Sequence, residues 1–195
     1  MTQSTSGDAP FPMKRVRFVS ILESEPGMVL ALPVTRVHEH RPFHLPAGVE
    51  HYRLLAHLSE RMRGCLVLDV GTFHGASALA LSTCPQTRVV SFDLVNHRTL
   101  PMERENLEFR LADVLDSPDL ILEAGLILLD TFHDGPFEYQ FYERLEALGY
   151  RGMLLLDDIY LNAPMQRFWH GIRREKWDCT HLGHWSGTGM VSFSA

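Results

Sequence analysis

From Pro46 onward the apolar positions fall into two alternating rhythms. Leu54, Leu55, Leu58 and Met62 recur at helical spacing, and Gly64 stands where such a helix stops. Leu66–Val70 then reads as a continuous apolar strand, and Ala76–Leu81 as a small-residue helix that ends before Pro85. Arg88–Phe92 and Leu107–Leu111 are the next strands, followed by the unbroken apolar runs Leu126–Leu129 and Met153–Leu156. Between those two runs a helix starts at Pro136, with Phe137, Phe141, Leu145 and Leu148 on one face and Gly149 beyond its end. A last helix follows Pro164, its inner stripe made of Met165, Phe168, Trp169 and Ile172.

Strands that are apolar on both faces and joined by helices predict a parallel sheet covered on both sides. The end of the chain breaks that rule. Trp177–Trp185 and Met190–Phe193 read as two strands joined by Ser186-Gly187-Thr188-Gly189, a hairpin with no helix between them. Ahead of Pro46 the pattern divides again. Residues 1–12 are a polar Thr, Ser, Gly, Asp and Pro mixture without a fixed element, and residues 13–46 form an arm. Its β-like runs, Val16–Leu22 and Met28–Leu32, flank a Glu25-Pro26-Gly27 turn and predict a hairpin. The arm serves either as a lid or as a contact in a homo-oligomer. Residues 47–195 read as the main α/β domain.

Composition narrows the function classes. The 195 residues carry 18 Lys and Arg against 24 Asp and Glu, a net charge of −6, which speaks against a nucleic-acid partner. No apolar run approaches the ~20 residues of a membrane span, and the polar start lacks the order of a signal peptide. Cys65, Cys84 and Cys179 are widely spaced and odd in number, which fits reduced thiols in a cytoplasmic protein.

The densest chemistry is in Asp69-Val70-Gly71-Thr72-Phe73-His74-Gly75-Ala76-Ser77. A buried strand enters Gly71, turns, and becomes a helix after Gly75, whose first N–H groups are unpaired. A dinucleotide loop would read GxGxxG; here the spacing is Gly-x-x-x-Gly with an acid two residues ahead. That acid disfavours a pyrophosphate and suits a ligand with an amino group. Asp93 ends the second strand, where a carboxylate bonds ribose hydroxyls, and Asp113 follows the third, beside the expected adenine pocket.

On these residues the stretch from Pro46 to Phe193 resembles the class I S-adenosylmethionine-dependent methyltransferases. The Asp69–Ser77 loop looks like their first motif, and Asp93 and Asp113 hold the places of the next two acidic motifs. The resemblance implies a Rossmann-like, doubly wound α/β fold with a seven-stranded, mostly parallel sheet and a C-terminal antiparallel hairpin. It also implies S-adenosylmethionine as cofactor, contacted by Asp69, Gly71, Thr72, Phe73, Gly75, Ser77, Asp93 and Asp113. A Rossmann-like domain for another nucleotide remains the alternative.

A second constellation lies downstream. Asp130 follows one strand and Asp157-Asp158 end the next. Neighbouring strands lie about 4.8 Å apart, so these acids meet at one rim and need a cation or proton between them. An all-oxygen set favours Mg²⁺, with Mn²⁺ or Ca²⁺ as alternatives, over zinc. Such an ion would orient and acidify a substrate hydroxyl, and His133, three residues past Asp130, is placed to take the proton. The Asp-x-x-His plus acidic-pair arrangement resembles that of the macrocin-type sugar O-methyltransferases and the cephalosporin hydroxylase-like branch of the fold. By that resemblance Asp130, Asp157 and Asp158 are metal ligands and His133 with Asp130 is catalytic. Where those relatives often carry Glu, this chain has the shorter Asp157. The plainer reading makes Asp130 a polar cleft residue and the acidic pair a cap on strand-end dipoles.

Most of the other ten histidines, His51 among them, read as surface or packing residues. His184 and Trp185 precede the terminal turn and are candidates for the cleft, with an ordinary hairpin turn the preferred account. His44 and Glu50 are candidates for closing over the methionine end of the cofactor. The expected function is O-methylation of a small hydroxylated acceptor such as a sugar, polyol or catechol-like diol. The rivals are a metal-free N- or O-methyltransferase and a non-catalytic S-adenosylmethionine-binding subunit.

Overall fold

A computed structural model of the chain describes residues 43, 45–99 and 103–194. The predicted N-terminal segment 1–12, the arm hairpin and His44 lie outside the described residues.

Seven strands form one sheet: β1 (Leu66–Val70), β2 (Arg88–Asp93), β3 (Leu107–Leu111), β4 (Leu126–Leu129), β5 (Met153–Asp157), β6 (Lys176–Asp178) and β7 (Thr188–Ser192). Their order is β3-β2-β1-β4-β5-β7-β6. The first five are parallel, and β7 runs antiparallel to both β5 and β6. The strand order starts with β1 in the middle of the sheet, winds outward to β3, then returns to add β4 and β5 on the other side. That reversal opens a crevice beyond the carboxyl ends of β1 and β4, the usual ligand position in an open α/β sheet.

Helices α1 (Tyr52–Arg61), α2 (Ala76–Leu81), α3 (Pro118–Glu123), α4 (Pro136–Leu148) and α5 (Ala163–Gly171) cover the two faces. Alternate residues of each strand supply separate cores. Val67, Val89, Leu128 and Leu155 pack with Leu54 and Leu58 of α1, Met62 just after it, and Leu79 of α2. Leu68, Val90, Leu129 and Leu156 pack with Ile121 of α3, Phe141 and Leu145 of α4, and Met165 and Phe168 of α5. Burial on both faces is why the strands read as unbroken apolar runs.

Two expectations need correction. The predicted strand Trp177–Trp185 shrinks to Lys176–Asp178, because the chain after it curls on itself. Asp178 Oδ1 accepts from Thr180 N at 2.9 Å, and Cys179 O accepts from both Leu182 N and Gly183 N. The last strand begins two residues early, at Thr188, since Gly189 lies in the ladder rather than in the turn. A Cβ at Gly189 would come within 2.6 Å of the Trp169 ring, so the missing side chain makes room for α5. Helix α3, too short for a clear period, escaped the pattern, as did the 3₁₀ turn Val114–Asp116 ahead of it.

Candidate functional site

The glycine loop after β1 is built around a close backbone approach. Gly71 has φ +106°, and a Cβ there would lie 1.6 Å from the Asp130 carbonyl oxygen. Gly71 is therefore required by the neighbouring loop itself, which packs where a side chain would be. Gly75, at φ +95°, caps the N-terminus of α2 in the left-handed conformation.

Asp69 does not reach the crevice. It is fully buried and lines neither of the cavities described below. Ser91 Oγ donates to its Oδ2 at 2.6 Å, and Thr72 Oγ1 lies 2.6 Å from Ser91 Oγ. This Thr72–Ser91–Asp69 chain fastens the loop to β1 and β2, and leaves the buried Asp69 Oδ1 without a hydrogen bond. Burial pushes the Asp69 carboxyl up to about 7, against the hydrogen bond from Ser91 that lowers it.

Of the other predicted cofactor residues, all but Gly75 line one of two cavities. Phe73 sits at φ +43° with its ring largely exposed, and its backbone N donates to Asp93 Oδ2 at 2.8 Å. Val95 N donates to the other oxygen, Asp93 Oδ1, at 3.1 Å. Asp113 caps the 3₁₀ turn by accepting from Leu115 N at 2.9 Å. A cavity of about 540 Å³ runs from Asp93 and Asp113 past Phe73 and Gly71 to Asp130 and His133. A smaller one of about 240 Å³, lined by Tyr52, Thr72 and Ser77, shares Gly71, Phe73 and Asp130 with it. The larger is in the size range of small-molecule sites.

At the other end of the crevice the sheet register brings the acids together. Leu129 of β4 pairs with Leu156 of β5, so Asp130 and Asp157 stand side by side one step further on. His133 Nε2 lies 3.2 Å from Asp130 Oδ1 and 3.5 Å from Asp158 Oδ2. Burial alone would lower the His133 pKa, but the carboxylates, Asp130 first, raise it above its ordinary value. His133 and Asp158 adopt left-handed backbone conformations, at φ +52° and +59°. Such strain persists only where the surroundings hold it, and it clusters at functional sites.

Two residues fix the His133 loop and a third holds Asp158, none of them foreseen from sequence. Glu138, buried in the first turn of α4, accepts from His133 N and Gly135 N at 2.8 Å each and from Thr131 Oγ1 at 3.1 Å. Asn162 Nδ2 donates to His133 O at 2.7 Å while its Oδ1 caps α5. Ser186, from the terminal turn, donates to Asp158 Oδ1. The signal for Glu138 was present: Gly135-Pro136-x-Glu138 places a carboxylate at the third helical position, where it bonds back to the cap.

Imidazoles complete the rim. His184 Nδ1 is 3.0 Å from Asp158 Oδ1 and 3.6 Å from Asp157 Oδ2, and Glu50 Oε1 is 3.9 Å from its Nε2. His184 and Glu50 thus belong to the carboxylate cluster. Desolvation would raise Asp158, but the bonds from His184 and Ser186 outweigh it and hold that carboxyl below its usual range. His51, read as a packing or surface residue, is buried, and its Nδ1 lies 3.1 Å from Asp157 Oδ1, a contact the sequence did not signal. Burial opposes its charged form, yet Asp157 beside it, with Asp130 and Glu50, lifts it to about 9. The predicted trio therefore meets at one rim, although Asp158 has its partners on the His184 side.

No family model matches the chain, and no curated protein matches it. Solved structures do. The chain is similar to the SAH-bound Podospora anserina methyltransferase PaMTH1, with TM-score 0.55, 14% identity, and 98% of this chain and 100% of that one covered. A putative O-methyltransferase from Klebsiella pneumoniae gives TM-score 0.53 at 16% identity over 96% of this chain and 92% of that one. The O-methyltransferase TomG from Streptomyces achromogenes, involved in tomaymycin synthesis and solved with SAM, gives 0.52 at 15% identity over 92% and 95%. The chain has the fold of the class I S-adenosylmethionine-dependent methyltransferases, with the seven-stranded sheet and antiparallel end expected of it.

Proposed function

We propose that this protein transfers the methyl group of S-adenosylmethionine to a hydroxyl of a small acceptor, with a divalent cation at the acidic rim. One observation carries the reading: a single crevice joins the acids of β2 and β3 to the Asp130–His133 pair. The similar folds of O-methyltransferases support it.

In this mechanism Asp93 and Asp113 take the ribose and adenine ends of the cofactor, and the Gly71–Gly75 loop packs along its backbone. The exposed ring of Phe73 and the apolar wall around Phe92 keep water from the adenosyl group. His133 accepts the acceptor's hydroxyl proton as that oxygen takes the methyl group and the cofactor's sulfur leaves as the neutral thioether. Asp130 and Asp158, on either side of Nε2, stabilise the imidazolium that results. Asp130 and Asp157 would hold the cation, and buried Asp157 Oδ1, which makes no hydrogen bond, fits that role. A bound ion would supply a Lewis acid that orients and acidifies the acceptor oxygen.

A metal-free transfer is the second reading, favoured by the imidazoles already facing every carboxylate of the rim. Turnover of S-adenosylmethionine with a panel of sugars, polyols and catechols, with and without EDTA, separates the two. Loss of rate on chelation and recovery with added metal supports the first; a full rate in EDTA overturns it. No turnover with any hydroxylated acceptor, despite cofactor binding, would leave a binding subunit as the account.

A further inference from the structure

The two nitrogens of His51 and Asp157 Oδ1 are buried, and none of the three makes a hydrogen bond. His51 Nδ1 and Asp157 Oδ1 are 3.1 Å apart, close enough to bond but not aligned to do so. Buried polar atoms are nearly always paired, so three orphans in one place point to a missing partner. The His51 ring is only 4% exposed, and its orientation is set by packing: the Tyr52 ring lies edge-on at 4.8 Å and the His184 ring at 5.8 Å. One ligand atom from each of His51, Asp130 and Asp157 lies within 4.8 Å of the others. Ligands about 2.1 Å from a shared ion stand about 3–4 Å apart, so only small side-chain movements would close the set.

Asp158 differs from these three. Its Oδ1 already accepts from Ser186 Oγ and faces His184 Nδ1, and its Oδ2 faces His133. Asp158 thus already serves three protein groups.

We propose that His51, Asp130 and Asp157 form a mixed imidazole–carboxylate cation site that takes a transition metal ion such as Mn²⁺, Co²⁺ or Zn²⁺ in preference to Mg²⁺ or Ca²⁺, with Asp158 outside the ligand set. The imidazole is the discriminating ligand. Nitrogen donors favour later divalent transition ions, whereas Mg²⁺ and Ca²⁺ demand hard oxygen. The proposal deepens the metal-assisted reading of the site, but binding of the ion can be measured without turnover. Asp158 is then a positioning residue that holds His133 and His184.

The test is metal binding to the full chain, without cofactor or acceptor. Co²⁺ gives visible bands sensitive to nitrogen ligation, and titration calorimetry with Mn²⁺ and Mg²⁺ gives affinities. Co²⁺ and Mn²⁺ should bind at least about tenfold more tightly than Mg²⁺. His51→Ala should cost at least about tenfold in Co²⁺ affinity and shift its bands, with Mg²⁺ little changed. His51→Asn, which keeps a polar group in the buried site, should show the same loss if the alanine variant unfolds. Asp158→Asn should stay within about threefold of wild type. Equal Mg²⁺ and Co²⁺ affinity, Co²⁺ binding unaffected by loss of His51, or Co²⁺ binding abolished by Asp158→Asn would each overturn the proposal. Tighter binding in the His51 variants would mean that the ring is simply an imidazolium counter-ion, and would overturn it too. Selective Co²⁺ binding together with a full methyl-transfer rate in EDTA would leave this site standing and defeat its catalytic use. Conversely, a metal-requiring rate with wild-type behaviour in His51→Ala would defeat the ligand set alone.

Discussion

The two ends of the crevice handle carboxylates in opposite ways. At the β1–β3 end the acids of the crevice accept from neutral donors, Asp93 from Phe73 N and Val95 N and Asp113 from Leu115 N. Behind them Asp69 Oδ2 accepts from Ser91, and its buried Oδ1 makes no hydrogen bond. At the β4–β5–β7 end the acids face imidazoles: Asp157 meets His51, Asp130 meets His133, and Asp158 meets His184. Neutral backbone donors fix a shape and leave little to rearrange when a ligand arrives. Imidazoles carry protons that can move near neutral pH. The first end is built to hold a ligand, the second to exchange protons and charge with one.

The largest expected effect comes from removing the mobile proton site. His133→Ala should slow single-turnover methyl transfer about 10²–10⁴-fold, with S-adenosylmethionine affinity nearly unchanged. A rate within about threefold of wild type at saturating cofactor would erase the distinction between the two ends. Gly71→Ala breaks the joint between them, because its Cβ would run into the Asp130 carbonyl. Denaturant unfolding should show a loss of about 3 kcal/mol. Gly64→Ala, also at positive φ but in open space, should cost only about 1 kcal/mol. Equal losses would mean that backbone strain, not the close approach, governs the loop.

Asp93→Ala should weaken S-adenosylmethionine binding by about 1.5–3 kcal/mol in titration calorimetry while sparing transition-metal binding at the far rim. Unchanged affinity would move ribose recognition elsewhere. The smallest effect concerns Asp69, whose folded carboxyl keeps its proton up to about pH 7 while an unfolded one releases it near 3.8. Its contribution to stability is therefore complete below the unfolded value and declines as pH rises toward the folded one. Between pH 5 and pH 6 that decline is about 1 kcal/mol, and Asp69→Asn, uncharged throughout, should remove it from the unfolding profile. An identical pH slope in the variant would show that Asp69 stays ionised when folded.

The strands and the principal helices were legible because each buries side chains in a local rhythm: β1, β3, β4, α2 and α4 begin and end where the apolar period does. The Gly71–Gly75 loop, Asp93, Asp113 and the meeting of Asp130 with Asp157 followed from strand ends alone, since parallel strands in register bring their carboxyl ends to one edge. Only the tertiary structure decided what those residues touch. Asp69 turned inward because Ser91 on the adjacent strand offers a hydroxyl, and Gly71 serves a backbone contact with Asp130. His51 precedes the first helix and His184 the last strand, so no local period marks either as a partner of Asp157. Periodicity records which face of an element is buried; which polar atoms meet across the rim depends on how separate elements pack, and that is set by the whole chain at once.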